Sequence, residues 1–226
     1  MNAMIRENII RIREALPQGV ELVAVSKFRP LEELVEAYGC GQRLFAESRP
    51  LEFEKKALAL PDDVQWHFIG HLQTNKLRNV LPYVYMIHSV DSIHLLEAIE
   101  NWCAGVRSAQ RSAKVKVLLE VHIGAEETKQ GFPPAAALAL PWDEMDSAYP
   151  HVEICGLMGM ASHVNDIALI DNDFALIKGL FDDITAAHPG LKHFTQLSIG
   201  MSGDWTVAVR HGATMVRIGS AIFCPQ

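Results

Sequence analysis

The feature that most constrains the fold of this chain is a repeated alternation. A short run of β-branched and other apolar residues is followed by a segment whose apolar residues fall at helical spacing. Eight such runs can be read, at 22–26, 43–47, 66–69, 86–89, 116–121, 153–158, 195–198 and 215–218. Between them, segments such as 31–38, 92–109 and 174–188 carry the helical period. Asp91-Ser92 reads as a helix start and Pro189-Gly190 as a helix stop. A further helix over 4–16 precedes the first strand.

Several of the runs are apolar on both faces, as in Leu22-Val23-Ala24-Val25 and Val117-Leu118-Leu119-Glu120-Val121. Continuous apolar runs suit parallel strands covered by helices, whereas a half-solvated antiparallel sheet would alternate. Eight β/α units in 226 residues predict a (β/α)8 TIM barrel with an extra N-terminal helix. The structural alternative is an open, doubly wound sheet, and the count of eight favours closure. No linker or shift in composition interrupts the chain, so residues 1–226 are expected to form a single domain.

Composition enters mainly by exclusion. A formal net charge of −7 without a clustered basic face argues against a nucleic-acid partner. No apolar run approaches the roughly 20 residues that span a bilayer, and the N-terminus lacks the apolar core of a signal peptide. Cys40, Cys103, Cys155 and Cys224 are far apart, with no CxxC pair. The expectation is a cytoplasmic protein with neither membrane nor nucleic acid among its partners.

In a barrel of this kind, the residues at the carboxyl ends of the strands converge in one mouth. Here they are Lys27, Glu47 with Ser48, Gly70 with His71, Ser89 with Asp91, His122, Ser198, and Arg217 with Gly219. The loops after the seventh and eighth strands are rich in glycine and serine, in Ser198-Ile199-Gly200-Met201-Ser202-Gly203-Asp204 and Arg217-Ile218-Gly219-Ser220. Glycines let successive backbone N–H groups turn toward an anion, and these loops are where such barrels build phosphate sites. Lys27 ends the first strand. A lysine that attacks an aldehyde must be neutral part of the time, so burial and a neighbouring cation such as Arg217 would have to lower its pKa. One buried lysine facing a phosphate cradle suits a phosphorylated carbonyl ligand, either a cofactor or a sugar phosphate. His67 and His71 share the i,i+4 spacing of a helical metal pair, but their segment reads as strand and turn, so no metal is expected. No Gly-x-Ser-x-Gly elbow of a serine hydrolase is present.

Longer stretches carry a more specific signal. Ala24-Val25-Ser26-Lys27, Trp66-His67-Phe68-Ile69-Gly70-His71-Leu72-Gln73-Thr74-Asn75-Lys76 and Ile87-His88-Ser89-Val90-Asp91 are joined by Lys129-Gln130-Gly131-Phe132, Gly156-Leu157-Met158-Gly159-Met160, and the two loops above. Together they resemble the pyridoxal phosphate homeostasis protein family, single barrels similar to the N-terminal domain of alanine racemase. The resemblance implies that pyridoxal 5′-phosphate (PLP) is the cofactor, held as a Schiff base on Lys27. It implies phosphate contacts at Ser198, Gly219 and Ser220, the last standing where the family usually has threonine. Arg217 takes the place of the arginine facing the pyridine nitrogen, and Lys129 matches a loop lysine linked to PLP transfer. The family's asparagine beside the cofactor ring is replaced by Ser48, a shorter side chain.

The resemblance further implies a role in vitamin B6 homeostasis. The chain would act as a monomeric PLP carrier or buffer without efficient turnover, with apo PLP-dependent enzymes as acceptors. The rival reading is a PLP-dependent amino-acid racemase. Racemases of that type append a β-domain that supplies the opposite acid/base, and the 226 residues leave no room for one. A sugar-phosphate aldolase would also use a barrel lysine but accounts for none of these stretches.

Overall fold

The computed structural model describes residues 3–105, 113–125 and 130–224. Eight parallel strands close into a barrel in chain order: β1 Glu21–Val25, β2 Leu44–Glu47, β3 Gln65–Phe68, β4 Val84–Val90, β5 Val115–Val121, β6 Val152–Gly159, β7 Gln196–Ser198 and β8 Met215–Ile218. Closure is made by β8 against β1, with Val23 opposite Arg217 and Ala24 opposite Ile218. The expected (β/α)8 architecture is therefore present, and each expected strand is found within a few residues of its place.

The two-sided apolar character of the strands has a direct structural cause. Alternate side chains of a strand point to opposite faces. On β1, Leu22 and Ala24 join the large core between barrel and helices. Val23 and Val25 enter a smaller core inside the barrel with Ala46, Met86, Leu118, Cys155, Met158 and Met215. Both faces of β1 are buried, so apolar side chains suit both.

Outside the barrel lie α1 Ala3–Ala15, α2 Leu31–Gly39, α3 Pro50–Ala59, α4 Leu77–Val80, α5 Ile93–Ala104, α6 Pro134–Leu138, α7 Trp142–Ala148, α8 Ile167–Ala187, α9 Trp205–Arg210 and α10 Ser220–Phe223. The extra N-terminal helix α1 buries Ile5, Ile9 and Ile12, one face at helical spacing. Asn8 Nδ2 donates to the Ile222 carbonyl at 3.0 Å and so ties α1 to α10. Ser92 caps α5, accepting from the Leu95 N–H at 3.3 Å. This helix ends at Ala104, earlier than the apolar period suggests, with Gly105 as its C-cap; the rest of the expected span lies largely outside the described residues. α8 begins earlier than expected, at an Asp166 cap whose carboxylate accepts from the Ala168 and Leu169 N–H groups. No helix among the described residues is long and apolar enough to cross a membrane.

Candidate functional site

A cavity of about 530 Å³ opens at the carboxyl-terminal mouth of the barrel, within the usual range for a small-molecule site. Lys27, Ser48, Arg217, Gly219 and Ser220 line it, together with the Met201–Asp204 turn. Lys27 is the one lysine among the described residues of the lining. Its side chain is exposed, not buried as the sequence reading required, because it sits one residue beyond the buried Ser26 where the chain leaves the barrel. The next residue, Phe28, holds a left-handed φ of +64° and is 65% exposed. A non-glycine residue in that region is uncommon and costs backbone energy. The Arg49 guanidinium lies over its ring at 4.3 Å to the centroid.

Behind Lys27 the wall is held by a buried ion pair. Lys56 Nζ on α3 donates to Glu47 Oε1 at 2.5 Å and to the Ser26 carbonyl at 2.8 Å. The Ser26 hydroxyl donates to the Ala46 carbonyl, and Glu47 Oε2 accepts from the Ser48 N–H at 3.1 Å. The loops carrying Lys27 and Ser48 are thereby fixed to one another. Sequence reading places Glu47 at the mouth but misses Lys56, whose signal is a lysine on the apolar stripe of α3 beside Phe53. Gly70 packs against the same wall: a Cβ there would lie 2.1 Å from the Ser48 carbonyl oxygen.

The two glycine–serine loops are stitched together across the cavity. Ser202 Oγ accepts from the Gly219 N–H at 3.3 Å and the Ala221 N–H at 3.4 Å. Asp204 Oδ1 accepts from the Met201 N–H at 2.5 Å, and the Gly200 carbonyl accepts from the Arg217 N–H at 2.9 Å. Gly200 takes φ +93°, and a Cβ there would lie 2.6 Å from that of Ala208, so only glycine fits this turn.

Arg217 reaches the cavity from the barrel interior, 4% exposed. It donates to the Ser198 carbonyl and hydroxyl, both at 2.7 Å, and to the Gly159 carbonyl at 3.0 Å. Burial pushes its pKa down to about 10, opposed by Glu120 and Asp204. Ser198 is fully buried and does not line the cavity, in contrast to the phosphate contact expected of it. Its hydroxyl lies instead between Arg217 and His88, 3.0 Å from His88 Nδ1. His88 Nε2 is in turn 2.7 Å from His67 Nδ1. Burial, with Lys116 nearby, lowers the His67 pKa to about 3; burial with His67 and Arg217 holds His88 well below its ordinary value.

The remaining residues named from sequence fall elsewhere on the rim. His71 is exposed in the segment after β3, 3.3 Å from Asp91, while His67 is fully buried inside the barrel. Ser89 Oγ donates to the Gly70 carbonyl at 2.5 Å. Glu120 on β5 is 5% exposed; burial, reinforced by Asp91 and opposed by Arg217, raises its pKa to about 7. Lys129 lies outside the described residues.

Comparison with known proteins adds independent findings. Residues 2–226 match the family model described as the N-terminal domain of alanine racemase. The chain is similar to the pyridoxal phosphate homeostasis protein of Homo sapiens, with 36% identity covering 99% of this chain and 83% of that protein. It is similar to the protein of the same name from Aquifex aeolicus, with 35% identity covering 99% and 98%. Among solved structures, PipY of Synechococcus elongatus with PLP bound superposes with a TM-score of 0.83 at 34% identity, covering 97% of this chain and 99% of that one.

Proposed function

The chain belongs to the pyridoxal phosphate homeostasis protein family, and from that membership we propose that it binds PLP at the barrel mouth and serves PLP homeostasis as a carrier. The observation that carries this reading is the meeting, in one cavity, of Lys27 with two loops rich in backbone donors. PipY, whose fold this chain shares at 34% identity, has been solved with PLP bound.

The residues present fit the cofactor. When bound, PLP supplies an aldehyde that condenses with a primary amine and a ring that can withdraw electrons. Lys27 offers the amine. The Met201–Asp204 and Gly219-Ser220 loops offer N–H and hydroxyl donors for the phosphate, and charge-assisted hydrogen bonds of that kind are the strong ones. The Ser202 hydroxyl already accepts from the Gly219 N–H and from the Ala221 N–H just beyond it, which supports the aim of this turn at an oxygen. Ser48 lines the same space, where a short side chain leaves room. Arg217 keeps its proton near neutral pH. Arg217 would face the pyridine nitrogen, as the family resemblance implies, and would keep that nitrogen unprotonated, which would leave the ring a weak electron sink. Such a site binds without efficient turnover.

The setting we assign is the cytoplasm, supported by four free cysteines, with apo PLP-dependent enzymes as acceptors. We take the protein to act as a monomer, since Lys27 and both loops come from the same chain. The test puts two assays on one preparation. PLP-loaded protein mixed with an apo PLP enzyme should restore that enzyme's activity, while α-hydrogen exchange of alanine or serine in deuterated water stays far below enzymatic turnover. Brisk exchange, or PLP that never passes to an acceptor, overturns the carrier reading.

A further inference from the structure

The groups inside the barrel below Arg217 form a file that the binding chemistry above does not use. It runs from Arg217 on β8 to Ser198 on β7, His88 on β4 and His67 on β3, with contacts of 2.7, 3.0 and 2.7 Å. All four residues are buried. Each contact must be a hydrogen bond, because leaving a buried polar group unpaired costs about as much as a bond is worth or more.

The direction of these bonds can be worked out. A guanidinium only donates, so the Ser198 oxygen accepts from Arg217. The serine has one proton, and its other neighbour in the file is His88 Nδ1. If that proton goes to His88 Nδ1, then His88 carries its own proton on Nε2 and gives it to His67 Nδ1. His67 then carries its proton on Nε2, the atom that has no hydrogen-bond partner among the described residues. The file in that sense leaves one polar atom unmatched. In the opposite sense, His67 Nδ1–H donates to His88 and His88 Nδ1–H donates to Ser198. The serine proton then has no acceptor and His67 Nε2 has no donor, which leaves two unmatched. The first sense is favoured by one buried hydrogen bond.

We infer that His67, His88 and Ser198 are positioning residues, a one-way file of donors in which two neutral Nε2–H imidazoles hold the Ser198 hydroxyl as an acceptor for Arg217. Ser198 thus acts on the cavity through Arg217 and not by touching an anion. An arginine with three fixed acceptors keeps one orientation toward the cavity; free to rotate, it would lose entropy whenever a ligand arrived. The titratable and charged groups facing the pair are Tyr85 on β4, whose ring centroid is 5.5 Å from that of His67, Lys116 on β5, and Arg217 on β8. The two cations oppose an imidazolium, in agreement with burial.

The part of the inference that concerns ligand affinity rests on the PLP reading; the tautomers do not, and the experiment separates them. Histidine labelled with ¹⁵N is followed by NMR in the PLP-free wild-type protein from pH 5 to 8. Both barrel imidazoles should show the neutral Nε2–H pattern throughout. An Nδ1–H tautomer at His88, or titration of either ring in that range, overturns the inference whatever the protein binds. The second arm compares H88N, whose side-chain oxygen can still accept from Ser198, with H88L, which has no acceptor. PLP binding, read by absorbance titration, should weaken on the order of tenfold or more in H88L and recover most of that loss in H88N. Equal loss in both variants overturns the positioning role. Should H88L fail to fold, the tautomer measurement on the wild-type protein alone decides. Correct tautomers in a protein that takes up no PLP would refute the proposed function and leave the file standing.

Discussion

The ammonium of Lys56 lies 2.5 Å from the carboxylate of Glu47, and neither side chain has much access to water: Glu47 is fully buried and Lys56 is 9% exposed. This pair joins α3 to the end of β2 and holds the wall behind Lys27. Removing one partner leaves a charge in a dry site, which typically costs about 3–5 kcal/mol. K56M and E47Q should each lose stability on that scale in urea denaturation. The double variant should lose less than the sum, since no charge is then left unpaired. Strict additivity would show that the two groups do not interact in solution.

A second prediction concerns the amine. Borohydride treatment of the PLP-loaded protein, followed by peptide mapping, should find the pyridoxyl group on Lys27 Nζ. Lys76, which ends the long stretch that begins at Trp66, is outside the cavity lining. A label on Lys76 or Lys129 with Lys27 unmodified would refute the assignment.

The phosphate accounts for the third. If the donors at Met201–Asp204 and Gly219-Ser220 meet an anion, pyridoxal without its phosphate should bind roughly a hundredfold more weakly or worse, through loss of more than one charge-assisted bond. Equilibrium dialysis of both ligands measures this. Comparable affinities would mean that these loops serve another purpose.

Glu120 carries a pH dependence whose sign is fixed by its environment. Its pKa in the folded protein is raised to about 7 from an ordinary 4.5 by burial and Asp91. Between those values the folded state binds more protons than the unfolded state, so stability falls as pH rises through that window. The full effect is of order 2–4 kcal/mol by the usual conversion of a pKa shift into free energy. E120Q removes the titration. Wild type should therefore lose stability relative to E120Q between pH 4.5 and 7, by urea denaturation at a series of pH values. A difference that is flat, or that grows with the opposite sign, contradicts the burial of this carboxyl.

Much of the fold is legible in the order of residues. Parallel strands covered on both sides follow from the several runs that are apolar on both faces, and the count of eight β/α units favours closure into a barrel. Lys27, Ser48, Arg217, Gly219 and Ser220 can be assigned to one mouth because strand ends of a parallel barrel converge there. The differences between sequence and structure lie at single side chains. Burial is expected of Lys27, yet it stands just past the last buried residue of its strand. A place at the mouth is expected of Ser198, yet it is the last residue of β7 and its hydroxyl lies inside the barrel.

The sequence by itself therefore determined the architecture, the end of the barrel at which the cavity opens, and the chemical types gathered there. These depend on periodicity and on strand polarity, both local properties. Tertiary structure alone decided which buried polar atoms meet. Lys56 finds Glu47 nine positions away, and His88 finds Ser198 110 positions away. A polar atom shut away from water must take whichever partner closure brings within about 3 Å, and nothing in the order of residues along a strand records which one that will be.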